Sequence, residues 1–266
     1  MVFNSCELEP LQVLLHPDVE TRVKESLNYI HLEPPLLGDT FKFAVFSDIH
    51  IGNKSGCYLT EFTRSAESLE IDFFCVTGDL THHGSKEEYD SLASALQSMA
   101  VFYGLFNYVT LGNHDLYSDG SWENFKEHFG PSCASRTPHP RLKLIFLDTG
   151  EGRLGATQFQ WLEKELSDTM PILKIVLTHF PLYDDKTPSI FRLASTAERT
   201  KLQSLLQKYK VYAICSGHIH GFRHTEINGV HHFIVGTMSK DLDFGKPGYL
   251  LFEFQSDSIS YRFISF

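Results

Sequence analysis

The sequence predicts an α/β chain in which helices cover packed sheets, and three observations predict it. Short apolar runs of strand length alternate with helix-like segments from Phe41 to Cys215. Most of the 22 phenylalanines fall in those runs, as buried sheet positions require. Beyond Cys215 the chain turns to alternating faces separated by turn residues, a β-rich signature.

Each element has its own local signal. Asp18–Ile30 has the spacing of a short amphipathic helix, and Glu33-Pro-Pro breaks the chain beyond it. Residues 1–38 therefore read as a partly helical N-terminal extension packed on one domain of residues 39–266. Phe41–Phe46 is a strand ending in Ser-Asp-Ile-His, and Glu61–Leu69 is a helix. Ile71–Val76 is a buried strand ending in Thr-Gly-Asp. Ser85-Lys-Glu-Glu88 is a capping box that starts a helix running to about Ala100. Phe106–Leu111 is a strand ending in Gly-Asn-His-Asp, and Leu142–Leu147 is another strand. Thr157-Gln-Phe-Gln160 reads as a capped helix start, and Leu173–Leu177 as a strand ending in Thr-His-Phe-Pro. Thr196–Tyr209 is helical, and Val211–Cys215 ends in Ser-Gly-His-Ile-His. Asn228-Gly229 marks a hairpin. Tyr249–Phe254 and Ile259–Phe266 alternate around a Gln-Ser-Asp-Ser turn.

At 266 residues, 42% apolar and 21% charged, the chain can build a sizeable core without staples. A formal net charge of -10 with no basic block argues against a surface for nucleic acid or anionic membrane. An acidic protein can still act on anionic phosphates where bound cations dominate the local field. Cys6, Cys57, Cys75, Cys133 and Cys215 form no CxxC pair and are odd in number, so a reduced compartment is expected. With no apolar run suited to a signal peptide or a membrane span, the expected location is cytoplasmic.

Chemistry concentrates where strands end. Asp48 and His50, Asp79, Asn113 with His114, His179, and His218 with His220 all come closely after apolar strands. Ligands of α/β sheets bind at carboxyl strand ends, so these groups are expected along one edge. Asp48 and His50 are two apart, and so are His218 and His220; an extended chain would point each pair to one face. Gly78, Gly112 and Gly217 stand where the backbone must turn close to other backbone. Imidazoles, carboxylates and an amide oxygen suit iron, manganese or zinc, while the lack of thiolates argues against a structural zinc site.

The ordered series Asp-x-His, Gly-Asp, Gly-Asn-His-Asp, Thr-His and Gly-His-x-His, from Phe41 to Thr237, resembles the calcineurin-like metallophosphoesterases. Within them it looks most like class III cyclic nucleotide phosphodiesterases and related glycerophosphodiesterases. The resemblance implies a four-layer α-β-β-α sandwich of two packed mixed sheets flanked by helices. It implies two metal ions (Fe, Mn or Zn), one on Asp48, His50, Asp79 and His220, with Asp79 bridging to another on Asn113, His179 and His218. His114 matches the catalytic histidine, a general acid for in-line attack of a metal-bridging hydroxide, and Asp115 is expected to orient its ring. The implied substrate is a small phosphodiester, cyclic nucleotide or glycerophosphodiester, with a phosphomonoester or a nucleotide pyrophosphate as alternatives using the same site. A catalytically silent scaffold of the same fold is the contrasting reading. The chain departs from many relatives at His179-Phe180-Pro181, where a second histidine is missing, and at His82 and His83 after Gly-Asp-Leu-Thr. His82, His83, Tyr183, Arg223 and His224 are the candidate substrate-pocket residues. Tyr117 is more simply a loop residue, and His231 and His232 core or hairpin residues. His16, His31, His128 and His139 carry no partner pattern.

Overall fold

The computed structural model describes residues 16–29, 36–241, 245–256 and 258–266. Cys6, His31, the Glu33-Pro-Pro break and Asp257 of the last turn lie outside the described residues. The strands are β1 (Thr40–Phe46), β2 (Phe73–Thr77), β3 (Phe106–Thr110), β4 (Ala134–His139), β5 (Leu142–Phe146), β6 (Leu173–Leu177), β7 (Ala213–Ser216), β8 (Arg223–Ile227), β9 (Val230–Ile234), β10 (Gly248–Gln255) and β11 (Ser258–Ser265). The helices are α1 (Val19–Leu27), α2 (Leu59–Leu69), α3 (Lys86–Tyr103), α4 (Ser121–Phe129), α5 (Ala156–Ser167) and α6 (Thr196–Lys208). Among the described residues no helix is long and apolar enough to cross a membrane.

Two mixed sheets form, in the orders β11-β10-β1-β2-β3 and β4-β5-β6-β7-β9-β8. Strands β1, β2 and β3 run parallel, as do β5, β6, β7 and β9, so each sheet gathers its carboxyl ends along one edge. The phenylalanines explain how the sheets face each other. Phe41, Phe43 and Phe73 join Leu144, Ile175, Cys215 and Phe233 in a core between the sheets. Phe43 stacks on Phe73 at 5.0 Å and on Phe252 at 4.9 Å, in line with the strand register, and Phe73 stacks on Phe106 at 5.5 Å. Alternate residues of β1, Ala44 and Phe46, turn the other way and meet Phe62, Leu92 and Trp122 of α2, α3 and α4. The outer face of the second sheet is covered by α5 and α6 through Phe159, Leu162, Leu202 and Leu206. The result is the four-layer α-β-β-α sandwich implied by the resemblance, and Cys75 and Cys215 are buried core residues as expected.

Three local features bear on the sequence reading. The 119–139 stretch, where the sequence signals no element, holds α4 and β4; Pro138 leaves β4 at the sheet edge, with a register shift between Arg136 and His139. Helix α5 has Gly155 at its N-cap position and no side-chain cap there, so Thr157 does not cap it. Glutamates distant in sequence take that part: Glu20 accepts from Ala156 N and Thr157 N, and Glu198 from Leu154 N and Gly155 N. Asn228 and Gly229 both adopt positive φ (53° and 78°), so their hairpin is the expected tight primed turn.

Phe43 has no exposed surface, so Phe43→Ala should lower stability by about 3–5 kcal/mol, read as a lower urea midpoint at unchanged slope. A loss below about 1 kcal/mol would show that the sheets do not interlock through this ring.

Candidate metal centre

The loops after β1, β2, β3, β6 and β7 bring all seven candidate ligands together. Asp48, Asn113 and His179 have no exposed surface, Asp79 is 1% exposed, and His220, the most open, is 8% exposed. Asp48 Oδ1 lies 3.7 Å from His220 Nε2, and His50 Nε2 lies 3.2 Å from His220 Nε2. On the other side His179 Nε2 lies 2.9 Å from Asn113 Oδ1, and His218 completes a cluster with His179 and Asp79. One oxygen, Asp79 Oδ2, faces both clusters, 3.5 Å from His50 Nε2 and 3.4 Å from His179 Nε2.

The way these side chains converge differs from the expected one. Asp48, His50, Asp79, His218 and His220 all adopt left-handed backbone, with φ between 48° and 69°. The paired residues therefore reach the site from left-handed turns, not from an extended pleat. Such turns cost non-glycine residues on the order of 1–3 kcal/mol each and persist where surroundings over-determine them. The surroundings are backbone ladders continued past the strands: Asp48 N donates to Gly78 O at 3.1 Å, and His50 N to Asp79 O at 3.0 Å. Gly78 has φ of 93°, and a Cβ there would lie 2.7 Å from Gly112 N and 2.8 Å from His179 Nδ1. A Cβ on Gly112 would strike the Asp79 backbone, and one on Gly217 would strike Ser47.

Hydrogen bonds select tautomers. His179 Nδ1 donates to Thr77 O at 2.9 Å and His114 Nδ1 to His82 O at 2.9 Å, leaving each Nε2 directed elsewhere. His114 opens a single turn of 3-10 helix, and its N–H donates to Asp79 Oδ1 at 2.8 Å. Asp115 does not orient the His114 ring, contrary to expectation. Its carboxylate accepts from Leu80 N, Thr81 N, the Thr81 hydroxyl and Gly112 N at 2.9–3.2 Å, tying the Asp79 loop to the Gly112 loop. Burial and the neighbouring Asp79 push Asp115 up to about 7 against those donors. The ring of His114 is held instead by the His82 carbonyl, by Tyr117 at 4.2 Å between centroids and by His50 at 4.5 Å.

The charge balance fits bound cations. Asp48 and Asp79 are buried, and neither is paired with a Lys or Arg among the described residues; the ionisable side chains facing them are imidazoles, and the backbone N–H groups of His218 and His114 donate to them. Burial alone would raise the Asp79 carboxyl, but His179, His114 and His50 hold it well below the usual range. Burial drives the His50 and His218 imidazoles well below theirs, which keeps them neutral. Burial would do the same to His179, but Asp79 outweighs it and lifts the ring to about 9. His218 Nε2 is buried without a hydrogen-bond partner. Neutral imidazole nitrogens and carboxylate oxygens without a Lys or Arg partner, turned toward one another, are what a cation would satisfy.

The candidate pocket residues separate. His82 joins the centre: its Nδ1 lies 3.5 Å from His50 Nδ1, and its ring stacks on His114 at 5.4 Å. The His83 ring turns outward to Glu88 at 3.1 Å. Tyr183, Arg223 and His224 line a neighbouring cavity of about 430 Å³, with Asp184 and His232 and none of the seven ligands. His224 also stacks on Phe233 at 4.5 Å. Among histidines without a sequence pattern, His128 meets Asp90 at 2.8 Å and His139 meets Asp39 at 3.2 Å. Tyr117 is more than the loop residue its sequence position suggests, since it packs on His114. Thr149 belongs to none of the sequence motifs, yet its hydroxyl accepts from His179 N at 3.0 Å and Phe180 N at 3.2 Å. The signal that could have found it is one more strand end, that of β5, followed closely by Asp148-Thr149-Gly150.

Both the ion pairs and the close backbone contacts are open to test. In chelator-treated protein the His179–Asp79 pair contributes stability that is complete below the ordinary imidazole value of 6.5 and lost as pH rises through about 9. The melting temperature with chelator should decline across that window, and a flat profile would contradict it. Gly112→Ala should cost about 1–3 kcal/mol and displace the Asp79 carboxylate, read by equilibrium dialysis as weaker uptake of Mn²⁺ or Zn²⁺; unchanged uptake would count against the close approach.

Known proteins share this architecture. The family model described as calcineurin-like phosphoesterase matches residues 41–222. A probable cyclic nucleotide phosphodiesterase of Psychrobacter arcticus is 25% identical over 171 residues, 58% of this chain and 59% of that protein, so the chain spans under two thirds of that relative. A dimetal phosphatase from Danio rerio superposes with a TM-score of 0.69 at 12% identity, covering 86% of this chain and 97% of that one. A purple acid phosphatase from yellow lupin (Lupinus luteus) seeds gives 0.69 at 18% identity, covering 87% and 53%. An anchor protein of the Plasmodium inner membrane complex gives 0.65 at 16% identity, covering 86% and 85%. At these identities the solved structures share the fold alone. The family model, however, spans more than half of the chain, and the chain belongs to the calcineurin-like phosphoesterase family.

Proposed function

We propose that this protein hydrolyses a small phosphodiester at a dinuclear metal centre, with His114 as general acid. The observation that carries the reading is the single Asp79 oxygen placed between two buried ligand clusters, with His114 beside both and belonging to neither ligand set. Asp48, His50, Asp79 and His220 would hold one ion, and Asp79, Asn113, His179 and His218 the other; iron, manganese and zinc suit these donors. When bound, the two ions supply Lewis acidity toward phosphoryl oxygens and lower the pKa of a coordinated water toward about 7.

The chain's own residues do the rest. His82 O fixes the His114 tautomer, so Nε2 is the nitrogen that hands a proton to the departing alcohol oxygen. The half-buried rings of His82 and Tyr117 flank His114 and limit its rotation. A diester is favoured over a monoester by charge: no Lys or Arg is paired with Asp48, Asp79 or His114 among the described residues to meet a second negative charge on phosphate. The similarity to a probable cyclic nucleotide phosphodiesterase supports the same class. The acidic balance of -10 disfavours a polymeric nucleic acid as substrate. A cytoplasmic location belongs to the same proposal, supported by four free cysteines among the described residues.

Elemental analysis of purified protein should find two transition-metal ions per chain. A panel of cyclic nucleotides, glycerophosphodiesters, monoesters and pyrophosphates with Mn²⁺ should show turnover chiefly of diesters. His114→Ala should keep both ions and lower kcat by about 10²–10⁴. Unchanged turnover in that variant would remove the acid role, and an inactive wild type holding no ions would favour a scaffold.

A further inference from the structure

Helix α1 is fastened to the body by a buried charge cluster that no step of the proposed hydrolysis uses. Arg22 has no exposed surface; its Nε donates to Asp148 Oδ2 at 2.9 Å and its Nη2 to Asp148 Oδ1 at 3.0 Å. Its third nitrogen, Nη1, donates to Glu151 Oε1 at 2.6 Å and to Pro17 O at 2.5 Å. A guanidinium fork locked on a carboxylate fixes that carboxylate in position and plane.

The fixed carboxylate closes a turn. Asp148 Oδ1 also accepts from Gly150 N at 3.2 Å, and Gln158 pins the Asp148 backbone from both sides at 2.8 Å. Thr149, at the centre of that turn, is fully buried. Its hydroxyl takes the N–H groups of His179 and Phe180 and meets the Thr178 hydroxyl at 2.9 Å. Gly150 presses on the neighbouring loop: a Cβ there would lie 2.9 Å from Gly112 O and from Leu116 Cδ1. A second tie leaves α1 at Ser26, whose hydroxyl accepts from Ser132 N at 3.0 Å; Ser132 O in turn accepts from the Thr110 hydroxyl at the end of β3. Both routes end at the loops carrying Asn113 and His179. Among the described residues, no hydrogen bond or ion pair joins residues 16–28 to the loops carrying Asp48, His50 or His220. Those loops rest on Thr237 and Asp241, and the one carrying His220 meets the His179 loop through a backbone hydrogen bond, Gly217 N donating to His179 O at 2.9 Å.

We propose that Arg22 is a positioning residue for one half of the dinuclear centre. Through Asp148 and Thr149 it sets where His179 and Asn113 stand, and so tunes the affinity of the ion they hold, leaving the other ion's ligands alone. The inference rests on the dinuclear reading of the site. It assigns the N-terminal helix a part in metal selectivity beyond its contribution to packing.

The test is a metal titration of full-length protein after chelator treatment, with Zn²⁺ and separately Mn²⁺, read by calorimetry and elemental analysis. Asn113→Ala identifies which binding event belongs to the affected half. Arg22→Met should weaken that same event by about tenfold or more, the range for outer partners of metal ligands, while the other stays within about twofold. Arg22→Lys, which keeps the charge without the fork, should fall between. Met99→Ala, in the helical core at the far end of α3, should lower the melting temperature and leave both affinities unchanged. Should Arg22→Met fail to fold, Thr149→Val decides, because it removes the last hydrogen bonds of the route without burying a charge. Equal weakening of both events, or no weakening of either, overturns the proposal. A wild type that binds no ion would instead overturn the dinuclear reading.

Discussion

The Asp79 carboxylate is the constraint around which the centre is arranged. It is buried, faces imidazoles from two different loops through one oxygen, and accepts the His114 N–H through the other. A lone buried carboxylate is costly unless positive charge or donors surround it. Here the compensation comes from His179, His114 and His50, which belong to different strand ends of both sheets. The two sheets must therefore meet at this edge. Ser47 bridges Thr237 there, and the Thr237 hydroxyl donates to Asp48 O.

That convergence shapes the backbone as well. Five ligand residues sit in left-handed turns because the loops leave parallel strands, hydrogen-bond to one another for a further step, and then double back. Glycines at 78 and 112 make room for neighbouring backbone where the second and third loops pass each other. Asp115, whose motif position suggests a partner for the catalytic imidazole, ties these same loops together by accepting their N–H groups. The backbone carbonyl of His82 takes over the orienting part, and a carbonyl is invisible in a side-chain pattern.

The outer layers contribute through buried polar links and not apolar packing alone. Glu20 of α1 and Glu198 of α6 cap α5, so one helix start depends on two carboxylates distant in sequence. Arg22 of α1 holds the turn beneath His179. A helix outside the residues matched by the family model thus touches the scaffold of the site from behind.

Apart from α4 and β4, the strands in their order of appearance, the helix positions and the identity of the clustered Asp, His and Asn residues were legible in the sequence. Apolar runs, the Ser85 capping box and Asn228-Gly229 are local signals whose physics acts within a few residues. The phenylalanine runs announced a sheet core, and their register turned them into stacked rows. What only the tertiary structure decided is which groups meet. The cap of α5, the placement of Thr149 under His179, the outward turn of His83 and the removal of Tyr183, Arg223 and His224 to a separate cavity are settled by how the segments pack, several of them through contacts tens to more than a hundred residues apart. Local propensity carries no information about such partners, because a carboxylate accepts from any donor, and an imidazole pairs with any donor or acceptor, that packing brings within reach.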